Sequence, residues 1–276
     1  MPFDILLPSA LFLLTAAAVF LYPKLETKVK SILEDKKFSI RDVVVLVVVM
    51  GIAVTVIVII PSEAIRILFL IFYSMMLFFS AYMVLPRWYI GLLLPAAFLI
   101  LYFVFWNTPR TDASVLIFMD VFAVIFVVFA SVYMGTLFGW ETIAVFAGLL
   151  TVMDVIQVLV TGFMVESSKK MLSLNLPVMI FVPTFPYQSA GMILGLGDIL
   201  LSSLLTIQTA RKYGRKFGYV SIAFIAAAFL IFEVLMFYYM TGAMPATVFI
   251  VCGWLASLGA RYLYNLLAAK KTVGEG

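Results

Sequence analysis

Residues 191–210 read GMILGLGDILLSSLLTIQTA, a mostly apolar run interrupted by one carboxylate, Asp198, which closes the tetrapeptide Gly195-Leu196-Gly197-Asp198. Read as a helix, the run spans a bilayer core, and similar runs recur along the whole chain. Only helices and closed barrels satisfy their own backbone in lipid, so the reading is all-α: a polytopic helical membrane protein. A carboxylate inside hydrocarbon costs about 2.5–3.5 kcal/mol on insertion scales, so one retained there usually has a task. A second acid, Asp154, lies inside the preceding long apolar run.

Composition narrows the chemistry. The 276 residues are 65% hydrophobic and 12% charged, and soluble domains carry about twice that charged fraction. The one cysteine, Cys252, excludes an intramolecular disulfide. There is no histidine, which rules out a Ser–His protease and an HExxH zinc protease. A Ser–Lys dyad is disfavoured because every lysine is expected in a loop or tail. Carboxylates remain as the candidates for hydrolytic chemistry, with no metal and no cofactor expected. No Lys or Arg precedes the first apolar run, so it reads as a span and not a secretory signal.

Nine spans are expected, at roughly 4–22, 41–60, 64–85, 88–106, 113–133, 139–163, 191–210, 217–240 and 243–268. The longest polar stretch is 22–42. Segment 164–190 begins polar and turns apolar between Pro177, Pro183 and Pro186. It is too short and too proline-bounded to span, and reads either as a re-entrant or strand-like segment or as a loop packed on the helices. The chain divides into 1–138, with spans 1–5, and 139–276, with spans 6–9. Fourteen of the 18 Lys and Arg fall on the side holding the loop after span 1, leaving Arg66, Arg110, Lys169 and Lys170 opposite. The positive-inside rule then places the N-terminus outside and the C-terminus in the cytoplasm of a multi-pass cell-membrane protein. The net charge of +4 belongs to these loops and calls for no nucleic-acid partner.

Asp120, Asp154, Asp198 and Glu233 are the acids well inside spans. Each lies about seven to nine residues from the outer end of its span, on the order of 10–14 Å deep. No Lys or Arg is expected at that depth. The acids must therefore be protonated, share protons, bind a cation or face water. Asp120 and Glu233 are read chiefly as protonated helix–helix hydrogen-bond donors, with Glu233 alternatively supporting the other pair. Asp154 and Asp198 are read as a pair. Gly195 and Gly197 clear space beside the second carboxylate, so that a helix or substrate backbone can approach. Two close carboxylates do not both ionise readily; one holds a proton while the other takes a proton from an attacking water. Which acid does which is open. Extended main chain for holding an unwound substrate is expected in 171–186 or in the break at Gly242–Thr247, where Pro245 lacks an N–H and suits a helix start.

With these motifs the chain resembles the presenilin and signal peptide peptidase family of intramembrane aspartyl proteases, most closely its prokaryotic, archaeal members. The resemblance covers about 139–268. It rests on Asp154 in span 6, Gly195-Leu196-Gly197-Asp198 in span 7 and Pro245-Ala246-Thr247 at the start of span 9, where the family carries Pro-Ala-Leu. The stretch from Thr161 through Met164-Val165 to Leu176-Pro177 is also similar. The resemblance implies a presenilin-like nine-helix fold, with 1–138 as scaffold and 139–276 as the catalytic part. It implies Asp154 and Asp198 as catalytic residues, Pro245, Ala246 and Thr247 as substrate-binding residues, and activity without obligatory partner subunits; oligomeric state is left open. The substrates implied are membrane-spanning peptides, type II segments or remnant signal peptides given the orientation. Two departures stand out: the family's Tyr-Asp is Met153-Asp154, and the motif's Leu is Thr247. Neither is expected to touch the carboxylates.

Other readings stay open. Prepilin and preflagellin peptidases also use GxGD, but with fewer spans and a cytoplasmic-facing site. A cation- or proton-coupled transporter would use acids at one depth, though no internal repeat is evident. A structural membrane subunit leaves the paired acids unexplained.

Overall fold

The computed structural model describes residues 4–33, 36–84, 87–109, 112–185, 191–239 and 244–274. The chain is overwhelmingly helical: α1 (Leu6–Leu33), α2 (Ile40–Ile59), α3 (Ser62–Val84), α4 (Trp88–Gly91), α5 (Leu93–Val104), α6 (Ala113–Leu137), α7 (Trp140–Val155), α8 (Phe163–Ser173), α9 (Leu196–Tyr213), α10 (Arg215–Tyr239) and α11 (Ala246–Gly274). Among the described residues seven helices are long and apolar enough to cross a membrane, and Trp88–Val104 forms a shorter apolar helix interrupted at Leu92. Large apolar side chains such as Val48, Ile52, Ile59 and Ile71 point outward, as expected of a bundle solvated by lipid. The chain is a membrane-embedded helical protein.

The helix ends follow local chemistry. Asp4 caps α1 by accepting the amides of Leu6 and Leu7 at 3.0 and 3.1 Å. Ser39 and Asp42 form a capping box at α2, with Ser39 N–H donating to Asp42 Oδ2 at 2.9 Å. Asp112 caps α6.

The centre of the bundle is α9, packed by α1, α6, α7, α10 and α11. Every residue from Leu201 to Thr209 is buried, although this helix is rich in hydroxyls and amides. Several of these groups are satisfied within the protein. Thr206 and Thr209 hydroxyls donate to the carbonyls one turn back, and Gln208 Nε2 donates to Gly135 O at 2.7 Å and Phe138 O at 2.9 Å, satisfying the end of α6. Trp254 Nε1 donates to Thr209 Oγ1 at 2.9 Å, tying α11 to the same helix. Close helix approach also fixes Gly253, where a Cβ would stand 2.8 Å from Ile225 Cα and Phe224 O of α10.

Four expectations need correction. The first span does not end near 22: α1 continues to Leu33, because the stretch carrying Glu26 and Lys30 forms an i,i+4 ion pair on a helical surface at 2.9 Å. Segment 164–190, expected as a re-entrant or strand-like segment or a packed loop, does hold a strand but opens with an unforeseen helix, the amphipathic α8 (Phe163–Ser173). Apolar 179–182 is strand β1 (Met179–Val182). The run from 191 opens as strand β2 (Met192–Gly195), so the helix of that span starts only at Leu196. The two strands pair antiparallel, Met179 opposite Gly195 and Val182 opposite Met192, which makes a small hairpin in an otherwise α-helical chain. Finally, several lysines lie on helices, including Lys169 and Lys170 on α8.

Candidate functional site

Asp154 lies in the last turn of α7. Directly after it the backbone widens into one π-helical turn over Ile156–Val160, where Thr161 N–H donates to Ile156 O. Such turns are rare and concentrate at functional sites. Gln157, buried in that turn, donates from Nε2 to Gly51 O on α2 at 3.0 Å, which anchors the irregularity to a neighbouring helix. Gly162, at φ 72°, then reverses the chain into α8.

Asp198 arrives from the other side. Strand β2 ends at Gly195, whose extended backbone caps α9, and Leu196 N–H reaches Val178 O to carry the hairpin contact into the helix start. Asp198 therefore sits in the first turn of α9, not within an established helix as the sequence reading had it. The positive end of α9 favours the ionised form of its carboxylate. The two glycines differ in role. A Cβ on Gly195 would stand 3.0 Å from Asp198 Oδ2, while one on Gly197 would meet nothing within 4 Å. Gly195 gives the carboxylate clearance; Gly197 keeps open space beside it. Leu196 packs against the core.

Asp154 and Asp198 line the same two cavities. One, about 320 Å³, is walled by α8, the hairpin and the start of α11, with Lys169, Met179, Ile193 and Ala246 around the acids. The other, about 300 Å³, is walled by α2, α7 and α9, with Met50, Phe146, Met153, Gly197 and Thr247. The pair thus stands at the boundary between an amphipathic mouth and an apolar chamber. A larger groove of about 570 Å³ between α1 and α10 has no ionisable residue in its lining. Residues 1–138 also reach the site, because α2 forms one wall.

Pro245 is buried just ahead of α11, Ala246 opens the helix into the first cavity, and Thr247 lines the second. Thr247 Oγ1 donates to Asp154 Oδ2 at 2.7 Å. The departure from leucine at this position therefore does touch a carboxylate, against expectation. A hydrogen bond to a charged group is worth about 1.5–3 kcal/mol. Met153, the other departure, packs toward Gly51 of α2.

The four acids do not gather at one place. Asp120 of α6 accepts the Phe181 amide of β1 at 2.9 Å, so it holds the hairpin. Glu233 of α10 is fully buried against Asp4 and lines neither of the two cavities. Asp4 also accepts Phe185 N–H at 2.7 Å, and Ile5 N–H donates to Phe185 O at 2.9 Å. Sequence reasoning missed Asp4, although an acid just before an apolar run is a helix-cap signal. It also missed Lys169 as a cavity residue, because α8 was not foreseen. Among the described residues no three His, Cys, Asp or Glu are grouped to hold a metal ion.

No protein-family model matches the chain, and comparison with curated proteins finds no relative.

Proposed function

We propose that the chain is an intramembrane aspartyl endopeptidase of the presenilin and signal peptide peptidase type. It would cross the bilayer nine times, with Trp88–Val104 and α9 as the two shorter crossings. The observation that carries this reading is that Asp154 and Asp198, from two different helices of a membrane-embedded bundle, line the same two cavities. Water reaching the pair from the mouth carrying Lys169 and Ser168 is activated by one carboxylate, while the other, protonated, polarises the scissile carbonyl. The substrate is a membrane-spanning peptide, unwound over a few residues.

The hairpin supplies main chain for holding that unwound segment by strand addition. Phe181 N–H on β1 is already taken by Asp120, which leaves β2, whose Ile193 lines the mouth, as the accessible edge. The charge distribution supports an outward hairpin, and hence type II substrates or remnant signal peptides. The protein would work without a metal, a cofactor or an obligatory partner subunit.

The deciding experiment purifies the protein in detergent with a helical peptide substrate and compares wild type with Asp154→Asn and Asp198→Asn. Each substitution abolishes cleavage while the protein stays folded. Substantial residual cleavage in either variant refutes the assignment. Matched type I and type II reporter helices in vesicles test the orientation.

A further inference from the structure

We infer that Thr247 is a positioning residue that holds Asp154 as the ionised member of the pair, which makes Asp154 the general base and Asp198 the general acid. The inference rests on the aspartyl protease reading above and resolves a symmetry that reading leaves open.

The two carboxyls have unequal surroundings. Asp154 receives the Thr247 hydroxyl at 2.7 Å. A hydroxyl that donates to a carboxylate makes a charge-assisted bond, stronger than one to a neutral carboxyl, so the contact favours the ionised form. Among the described residues nothing donates a hydrogen bond to Asp198. The end of α9 acts on Asp198 as a field, with no donor in contact. Among the residues lining the two cavities, the other titratable group is Lys169 of α8, in the mouth that both acids share. The α2 wall, Met50, Ala53, Val54 and Ile57, is apolar. The asymmetry therefore comes from α11. Thr247 is buried, and its backbone is fixed by the helix start after Pro245, so the donor is preorganised.

The chemistry then runs in one direction and balances. Water adds to the scissile carbonyl carbon, its proton passes to Asp154, and Asp198 gives its proton to the carbonyl oxygen. In the second step protonated Asp154 gives that proton to the leaving nitrogen as the C–N bond breaks. A hydroxyl of the diol returns a proton to Asp198 as the carbonyl reforms. Both acids end as they began.

The test is a pH–rate profile of purified wild type, Thr247→Val, Thr247→Ala and Thr247→Ser on one helical peptide. Losing the hydroxyl lowers kcat about 10- to 100-fold with KM within about twofold, and moves the acidic limb of kcat/KM to higher pH by about one unit. Thr247→Ser restores both. Thr247→Ala adds no bulk, so it keeps the test valid if valine disturbs packing. Two outcomes overturn the inference: an unchanged acidic limb in both valine and alanine variants, or a loss confined to KM. If wild-type hydrolysis does not depend on both aspartates, the protease reading itself falls, and that is scored by Asp154→Asn and Asp198→Asn, independently of Thr247.

Discussion

Lys170 on α8 donates through Nζ to the carbonyl oxygen of Val58 at 3.0 Å, at the far end of α2. Ile57 and Ile60 carbonyls share the same ammonium. A lysine from one helix thus closes the C-terminus of another, where carbonyls lack partners and a positive charge is favoured. The contact fixes α8 against α2, and these two elements wall the two cavities that meet at the aspartates.

Replacing Lys170 with methionine keeps the stem and removes the charge. The expected outcome is a loss of about 1–2 kcal/mol of stability, read as a lower unfolding midpoint in detergent, together with a raised KM for a helical substrate. An unchanged midpoint would show that water satisfies the α2 carbonyls equally well.

The two glycines of the 195–198 motif should separate kinetically. Gly195→Ala drives a methyl against Asp198 Oδ2, so kcat falls by about tenfold or more. Gly197→Ala meets no protein atom but projects beside the chamber that holds the pair, so its effect appears mainly in KM. Steady-state kinetics on one peptide distinguishes them; identical profiles would mean the glycines serve only helix packing.

Asp120→Ala removes the acceptor of Phe181 N–H and leaves an amide of β1 unpaired. Stability falls by about 1–3 kcal/mol. Hydrogen exchange at β1 accelerates relative to α9, which is the direct readout. Asp120→Asn, which keeps a carbonyl acceptor, recovers most of the protection.

Glu233 and Asp4 form a second, separate carboxyl contact, with neither Glu233 oxygen meeting a donor among the described residues. Glu233→Gln supplies an N–H for Asp4 without needing a proton. It is expected to raise stability at neutral pH by about 1 kcal/mol and to leave cleavage unchanged. Asp4→Ala does the opposite, losing the α1 cap and the Phe185 bond, at a cost of about 1–2 kcal/mol. Thermal unfolding of the two variants in the same detergent checks both signs.

Helical, membrane-embedded character was legible in the chain, as were Asp154 and Asp198 as two acids inside apolar runs, which the structure brings to the same two cavities. The physical reason is that lipid imposes a length and an apolarity on each span and makes every carboxylate within it conspicuous. Other features depended on neighbours. Residues 192–195 are as apolar as a helix, and only pairing with Met179–Val182 makes them a strand that delivers Asp198 to a helix start. Polar α9 is central, with Gln208 partnered at the end of α6 and Thr209 by Trp254 of α11. Thr247 meets Asp154 across 93 residues of sequence, and Asp120 and Glu233, alike in depth on paper, turn to different partners. Sequence reports how each segment interacts with lipid and with its own backbone. Which side chain meets which, and so which carboxylate has donors, is decided only when the helices pack.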